Sequence, residues 1–119
     1  MPLFRSSQVA RDYFETPGLG ELYVLKLAGF IANHRAKLLE VTTDSTRIQV
    51  GGRTFGQWFR GEEYLPKTEI ALHFRRNPTS RNQAMEVDVQ VRPCGVYEPN
   101  FAAVSKHVLR EVRGHFLVA

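Results

Sequence analysis

EIALHFR at residues 69–75 and MEVDVQVR at residues 85–92 are the two stretches that decide the fold of this chain. In each stretch apolar side chains alternate with polar or small ones, which is typical of a strand with one buried face. If the residues between them fold back symmetrically, Phe74 lies opposite Met85, and the pairing continues along both strands. The apolar side chains then share one face. A slip of one residue would turn all the apolar side chains of one strand toward water, so the sequence favours this arrangement.

A second pair of alternating runs precedes this hairpin, over residues 38–50. Asp and Ser favour turns because their side chains bond to nearby backbone groups. A two-residue turn at Asp44-Ser45 would pair Val41 with Ile48 and again place the apolar side chains on one face. The sequence therefore predicts two consecutive hairpins.

Two helices are predicted on either side of the hairpins. Residues 19–37 carry apolar side chains at spacings of three and four, and Tyr23, Phe30 and His34 widen the apolar arc beyond a minimal stripe. A wide arc indicates burial on more than one side. The second helix begins after Asn100, a good N-cap. Its apolar stripe consists of Phe101, Val104, Val108, Val112 and Phe116.

The order helix, two hairpins, helix predicts an α+β fold. We expect a two-layer sandwich in which a four-stranded antiparallel sheet of two hairpins packs against an N-terminal and a C-terminal helix. The whole chain forms one domain. Residues 1–18 are expected to be a loosely attached segment, with a short helix that begins at Ser6 or Ser7 and ends at Phe14 or Glu15.

Composition and charge set broad limits on location and partners. The chain has 119 residues and a net charge of +4, a mild excess that can attract anionic partners and also suits an ordinary globular protein. Its one cysteine, Cys94, cannot form an internal disulfide, which favours a reducing compartment. The longest apolar run, from Leu22 to Ile31, contains Lys26 and is too short to cross a bilayer. We therefore expect a cytoplasmic protein without a membrane span.

Motifs for catalysis, cofactors or metals are absent from the sequence. There is no glycine-rich phosphate loop, no GxSxG and no pair of histidines at ligand spacing. His73 is predicted to face Glu86 across the second hairpin, but an exposed pair on a sheet face has no pocket. His107 and Glu111 form an ordinary helix-surface pair. We assign no catalytic, cofactor or metal residue, and an enzyme is the less favoured interpretation.

The sequence best supports a domain that acts by binding another protein, including a second copy of itself. The apolar first helix and the aromatic stretch 53–67 exceed what one small sheet and two helices need for their core, and surplus apolar surface usually ends in an interface. The residues we assign to that contact are Tyr23, Phe30, Phe55, Trp58, Phe59 and Tyr64.

Two other functions stay open at this point. A polar loop with several arginines connects the strands of the second hairpin, and such side chains can contact phosphates of a nucleic acid. The residues for this alternative are Arg53, Arg60, Arg75, Arg76 and Arg81. The third possibility is a small-ligand pocket between sheet and helices, including an unfamiliar enzyme, which would need a cavity with convergent polar groups.

Overall fold

A computed structural model describes residues 8–16, 22–54, 64–76, 85–95 and 98–117. Within these ranges no helix is both long enough and apolar enough to cross a membrane. The predicted loop contacts at residues 55–63 and 77–84 lie outside this description.

The described residues form an α+β fold in which a five-stranded antiparallel sheet packs against two helices. The strand order is β1-β7-β6-β3-β2, and β4 and β5 form a separate two-stranded ribbon. The predicted fold class is confirmed, whereas the predicted number of four strands is wrong by one. The elements are β1 (Ala10–Thr16), α1 (Leu22–His34), β2 (Lys37–Val41), β3 (Ser45–Val50), β4 (Arg53–Thr54), β5 (Tyr64–Leu65), β6 (Thr68–Arg76), β7 (Met85–Pro93) and α2 (Phe101–Leu117).

The β6–β7 hairpin has the predicted faces in a different register. Phe74 pairs with Val87 instead of Met85, and Ile70 pairs with Val91. The difference is two residues, and side chains alternate with a period of two, so every apolar side chain keeps its face. The apolar positions of β7, from Met85 to Val91, are accordingly all buried.

The β2–β3 hairpin departs from its predicted pairing because its turn lies one residue earlier than predicted and because β2 contains a bulge. Leu38 pairs with Ile48 and Val41 pairs with Thr46, so the residue between Leu38 and Glu40 is extra. The two residues of the turn are 43 and 44, one position earlier than the predicted Asp44-Ser45, since the backbone N–H at position 42 donates to the carbonyl at position 45 over 2.8 Å. The bulge places Leu38 and Val41 on the same face, three residues apart.

The segment predicted as a short N-terminal helix is instead a strand. All seven residues of β1 pair antiparallel with β7, from Ala10 opposite Val91 to Thr16 opposite Met85. Phe14 joins the core with 5% of its surface exposed. Residues 10–16 are therefore an integral edge strand of the sheet.

The core lies between one face of the sheet and the two helices. The helix α2 packs across β1 and β7, and α1 packs against α2. The predicted apolar stripe of α2 is confirmed, because all its members are buried. The core residues are Phe14, Leu27, Phe30, Ile48, Val50, Ile70, Leu72, Phe74, Met85, Val87, Val89, Val91, Phe101, Val104, Val108, Val112 and Phe116.

Helix α1 buries a narrower face than predicted. Leu27, Phe30 and His34 are buried, whereas Val24 is 53% exposed. The helix ends at a residue with φ of 50°, Arg35, where the N–H of the following residue donates to a carbonyl five positions back over 2.9 Å. That pattern is the Schellman cap, which usually has glycine at the left-handed position.

Candidate interaction surfaces

The sheet face opposite the helices is polar, and the strand register arranges its side chains in rows. One row across β3, β6, β7 and β1 consists of Ser45, His73, Asp88 and Tyr13. Directly opposite residues lie about 4.5–5.5 Å apart at Cβ, so neighbours in a row are within reach of each other. His73 thus faces Asp88 and not Glu86, because the register differs by two residues from the predicted one.

A groove of about 420 Å³ lies on this face above Ala71. The cross-strand neighbours of Ala71 are Arg47 and Gln90, whose longer side chains stand on both sides of its methyl group. The side chains of His73, Asp88 and Gln90 make no hydrogen bond or ion pair with the part of the chain that the structure describes. The groove is lined by Glu40, Ser45, Thr46, Arg47, Ala71, Leu72, His73, Arg75, Asp88 and Gln90.

Ser45, His73 and Asp88 share a row, yet they do not form a catalytic triad. The Oγ of Ser45 lies 2.8 Å from Oγ1 of Thr42 at the turn. A serine nucleophile needs a base within hydrogen-bond distance, and within the described ranges no hydrogen bond joins Ser45 to His73. The row therefore supplies polar contacts and no activated nucleophile.

The arginines beside the groove are held by carboxylates. Arg47 donates to Glu40 over 2.9 Å and to Glu69 over 2.8 Å, and Arg92 donates to Glu69 over 3.2 Å. Burial alone would raise the pKa of Glu69, but the guanidinium of Arg47, with that of Arg92, outweighs it and lowers that pKa. Arg75 donates to a carboxylate on β7 over 3.0 Å. These side chains form fixed walls without surplus positive charge.

The free edge of β1 is closed by side chains. Arg113 of α2 donates to both carboxylate oxygens of Asp12, over 2.9 and 3.0 Å, and to the carbonyl of Tyr13 over 3.2 Å. The N–H of Tyr13 donates to Asp12 over 2.8 Å. The hydrogen bonds from Arg113 lower the pKa of Asp12 against the opposing effect of its partial burial. The N–H and the carbonyl of Tyr13, which a further strand would bond, are thereby occupied, and this protects the middle of the edge.

Most of the large apolar side chains that the described residues expose lie on α1 and β2. Leu25 is 68% exposed, and Val41, on the bulged edge strand, is 57% exposed. The sequence pattern predicts contact residues on α1 at Tyr23 and Phe30 and does not indicate Leu25, because periodicity alone does not say which side of a wide apolar arc faces the core. The exposed members are Val24, Leu25, Leu38, Leu39 and Val41, which we call the α1–β2 surface.

A second cleft, of about 630 Å³, lies between α1 and α2 and is lined by histidines. Phe30 packs between the rings of His34 and His115, at centroid distances of 4.4 and 5.4 Å. His115 Nε2 lies 2.6 Å from the carbonyl oxygen of Lys26, and His34 Nε2 lies 3.9 Å from Glu111 Oε1. Burial, with smaller contributions from the histidines of α2, lowers the pKa of His34 to about 4. The cleft thus keeps a neutral imidazole at neutral pH.

The described residues include neither a metal site nor an activated thiol. Among the residues in the described ranges, no group of three His, Cys, Asp or Glu side chains is placed to hold a metal ion. Cys94 is exposed and unbridged, and partial burial, followed by the charge of Glu69, raises the pKa of its thiol. A raised pKa leaves less thiolate, which is the nucleophilic form.

The residues predicted for a protein contact are only partly located. Phe30 is fully buried in the core, so it does not reach the surface of a single chain. Tyr23 lies in the first turn of α1, and Tyr64 begins β5. Phe55, Trp58 and Phe59 lie outside the described residues.

The residues predicted for nucleic-acid binding are spread along the chain. Arg75 lies on β6 and is paired with Glu86, which reduces its use as a free phosphate ligand. Arg53 begins β4 and Arg76 ends β6. Arg60 and Arg81 lie outside the described residues.

Comparison with known proteins gives a similar structure but no function. Neither a family model nor a curated protein matches this chain. The crystal structure of DR_A0006 from Deinococcus radiodurans is 15% identical and covers 92% of this chain and 98% of that chain, with a TM-score of 0.40. A similarity at this level supports no functional argument.

Proposed function

We propose that this chain is a protein-binding domain whose partner packs on the α1–β2 surface. The observation that supports the proposal is the exposure of large apolar side chains on two successive elements, with Leu25 at 68% and Val41 at 57%. Val24 and Leu25 are neighbours on α1, and Leu38, Leu39 and Val41 lie on one short strand. Single exposed apolar residues are normal on a surface, whereas such groups mark interaction sites. The proposed contact again includes α1, but through Val24 and Leu25 and not through Phe30, which is buried.

Contact through side chains fits this domain better than addition of a strand to its sheet. Edge strand β2 has a bulge and begins with Lys37, and edge strand β1 is closed by Arg113 and Asp12. Bulges and charges are the usual means by which proteins prevent pairing at sheet edges. The partner is therefore expected to bury Leu25 and Val41 against apolar side chains of its own.

Charge indicates the kind of partner. Residues 22–41 include Lys26, Arg35 and Lys37 and one acidic residue, Glu40, whose charge Arg47 matches. Two copies that met through this basic surface would repel each other, whereas a partner with acidic groups around an apolar centre would be attracted. We therefore propose a different, acidic protein as the partner, and not a second copy.

The test compares two variants in a cross-linking capture experiment from the source cells. A Leu25→Glu/Val41→Glu double variant is expected to lose the partner that the unaltered protein captures. Leu117→Glu, at an apolar side chain that is 39% exposed at the end of α2, is the matched control and should retain it. Equal capture by both variants would contradict the proposal.

Two further measurements separate the competing explanations. Sedimentation velocity of the unaltered protein should give a monomer. If it gives a dimer that the double variant abolishes, the partner on this surface is a second copy of the chain and not an acidic protein. Vesicles that contain phosphatidylserine should not bind, although a basic apolar helix can bind such membranes. Vesicle binding that the double variant abolishes would identify a lipid surface as the partner instead.

A further inference from the structure

The groove above Ala71 has walls that are fixed before any ligand arrives. Arg47 is held by two carboxylates, and Arg75 is held by Glu86 over 3.0 Å. Side chains fixed by ion pairs lose little freedom when a ligand binds, which favours binding. A volume of about 420 Å³ is within the usual range of small-ligand sites.

The polar groups left for a ligand lie together at the β6–β7 side of this groove. His73 and Asp88 are opposite each other in the register, and Gln90 is the next residue of β7 on the same face. None of the three makes a side-chain hydrogen bond or ion pair within the described part of the chain. Asp88 and Gln90 are half-buried in the groove, whereas His73 is exposed.

The charge balance of the groove identifies the ligand class. Glu40 is neutralised by Arg47, and Arg75 is neutralised by Glu86. The other carboxylate of the lining is Asp88, which forms no ion pair with the described residues. The groove therefore has an unmatched negative charge beside a neutral hydrogen-bonding amide.

We propose that the groove above Ala71 binds a small organic cation with a primary ammonium group, which donates to Asp88 while Gln90 and His73 bond its other polar atoms. Charge-assisted hydrogen bonds to a carboxylate are the strong kind, and the ammonium has three donors for this cluster. This site lies on the opposite side of the sheet from the helices, and it does not depend on the proposed protein partner.

The test is titration of the ¹⁵N-labelled protein with n-butylammonium, methylammonium and agmatine, followed by amide chemical shifts. We expect shifts on β6 and β7 around Ala71, with dissociation constants in the millimolar range for such small ligands. Butyrate, which has the opposite charge, should cause none. Absence of a saturable shift with all three cations would overturn the proposal.

Three variants locate the site. Asp88→Asn removes the charge and keeps the shape, and it should weaken cation binding by about tenfold or more. Ala71→Leu fills the groove and should abolish binding. Glu15→Gln changes an exposed carboxylate on β1 that does not line the groove, and it should bind like the unaltered protein. Equal affinity in all three would show nonspecific attraction to surface carboxylates and would also overturn the proposal.

Discussion

Removal of the buried imidazole of His34 should make the stability of this protein less sensitive to acid. His34 is 7% exposed and lies 4.4 Å from Phe30 between the two helices. Its pKa falls from an ordinary 6.5 to about 4, mainly because burial disfavours the charged form and also because other histidines are near. The unfolded chain therefore binds a proton at a higher pH than the folded chain does.

The sign and size of the effect follow from these two pKa values. Between about pH 6.5 and about pH 4 the unfolded state binds more protons at this site, so the free energy of unfolding decreases as the pH falls. For pKa values of 6.5 and about 4, the loss between about pH 7 and about pH 4.5 is about 2 kcal/mol. Above about pH 7 the imidazole contributes no further change.

Urea denaturation followed by far-ultraviolet circular dichroism measures this effect in the unaltered protein and in His34→Gln. Asp12 and Glu69 also have lowered pKa values, so both proteins lose stability in acid when these carboxylates are protonated. That loss is common to both proteins and cancels in their difference. The difference should change by about 2 kcal/mol between about pH 7 and about pH 4.5. A constant difference over that range would refute the role assigned to His34.

Three further substitutions have expected outcomes that thermal and urea unfolding can measure. Arg35→Gly relieves a φ of 50° and should stabilise by up to about 1 kcal/mol, whereas Arg35→Ala should give no such gain. Arg113→Ala removes the bonds to Asp12 and should cost about 1 kcal/mol. The Arg113→Ala substitution also opens the β1 edge, so sedimentation should show self-association. The control Arg113→Lys should self-associate less, and a monomeric Arg113→Ala protein would contradict the protective role. Gly52→Ala should destabilise by about 1 kcal/mol or more, because φ is 87° and the new Cβ would lie 2.8 Å from Lys67 Cγ; unchanged stability would contradict this conformation.

The alternation of apolar residues predicted which face each side chain of the central hairpin occupies, but not its partner. Ile70 and Phe74 are buried as expected, yet their partners differ by two residues from the symmetric pairing. The pattern excludes a shift by an odd number of residues, which would turn the apolar side chains to the wrong face. A shift by an even number buries the same side chains and is therefore not excluded. The loop and the neighbouring strands choose among the even registers, and that information is not local.

The edge strands were harder to predict for an identifiable reason. In β1 the side that faces the helices includes Asp12, which interrupts the apolar alternation between Ala10 and Phe14. That carboxylate is acceptable there only because Arg113, about a hundred residues further along the chain, pairs with it. In β2 the extra residue at Leu39 breaks the period of two, so a simple hairpin rule assigns the wrong pairs.

The candidate site could be predicted only in part. The wide apolar arc of α1 predicts that Phe30 lies at a contact surface, but its ring packs between two histidine rings. The groove exists because Ala71 is small and its neighbours on other strands are long. Its charge depends on ion pairs that involve the other charged residues of the lining but not Asp88. Both properties require the strand order, which one sequence does not specify.

The position of the first strand beside the seventh has a consequence for how the protein is made. On a ribosome, residues 10–16 are synthesised early, but their pairing partners, 85–91, follow roughly seventy residues later. At about 5–20 residues per second the strand remains unpaired for on the order of ten seconds. During that interval Arg113, which later covers its edge, has not been synthesised. The nascent chain therefore passes through a period in which an aromatic strand is exposed, and a chaperone would have its best opportunity to bind then.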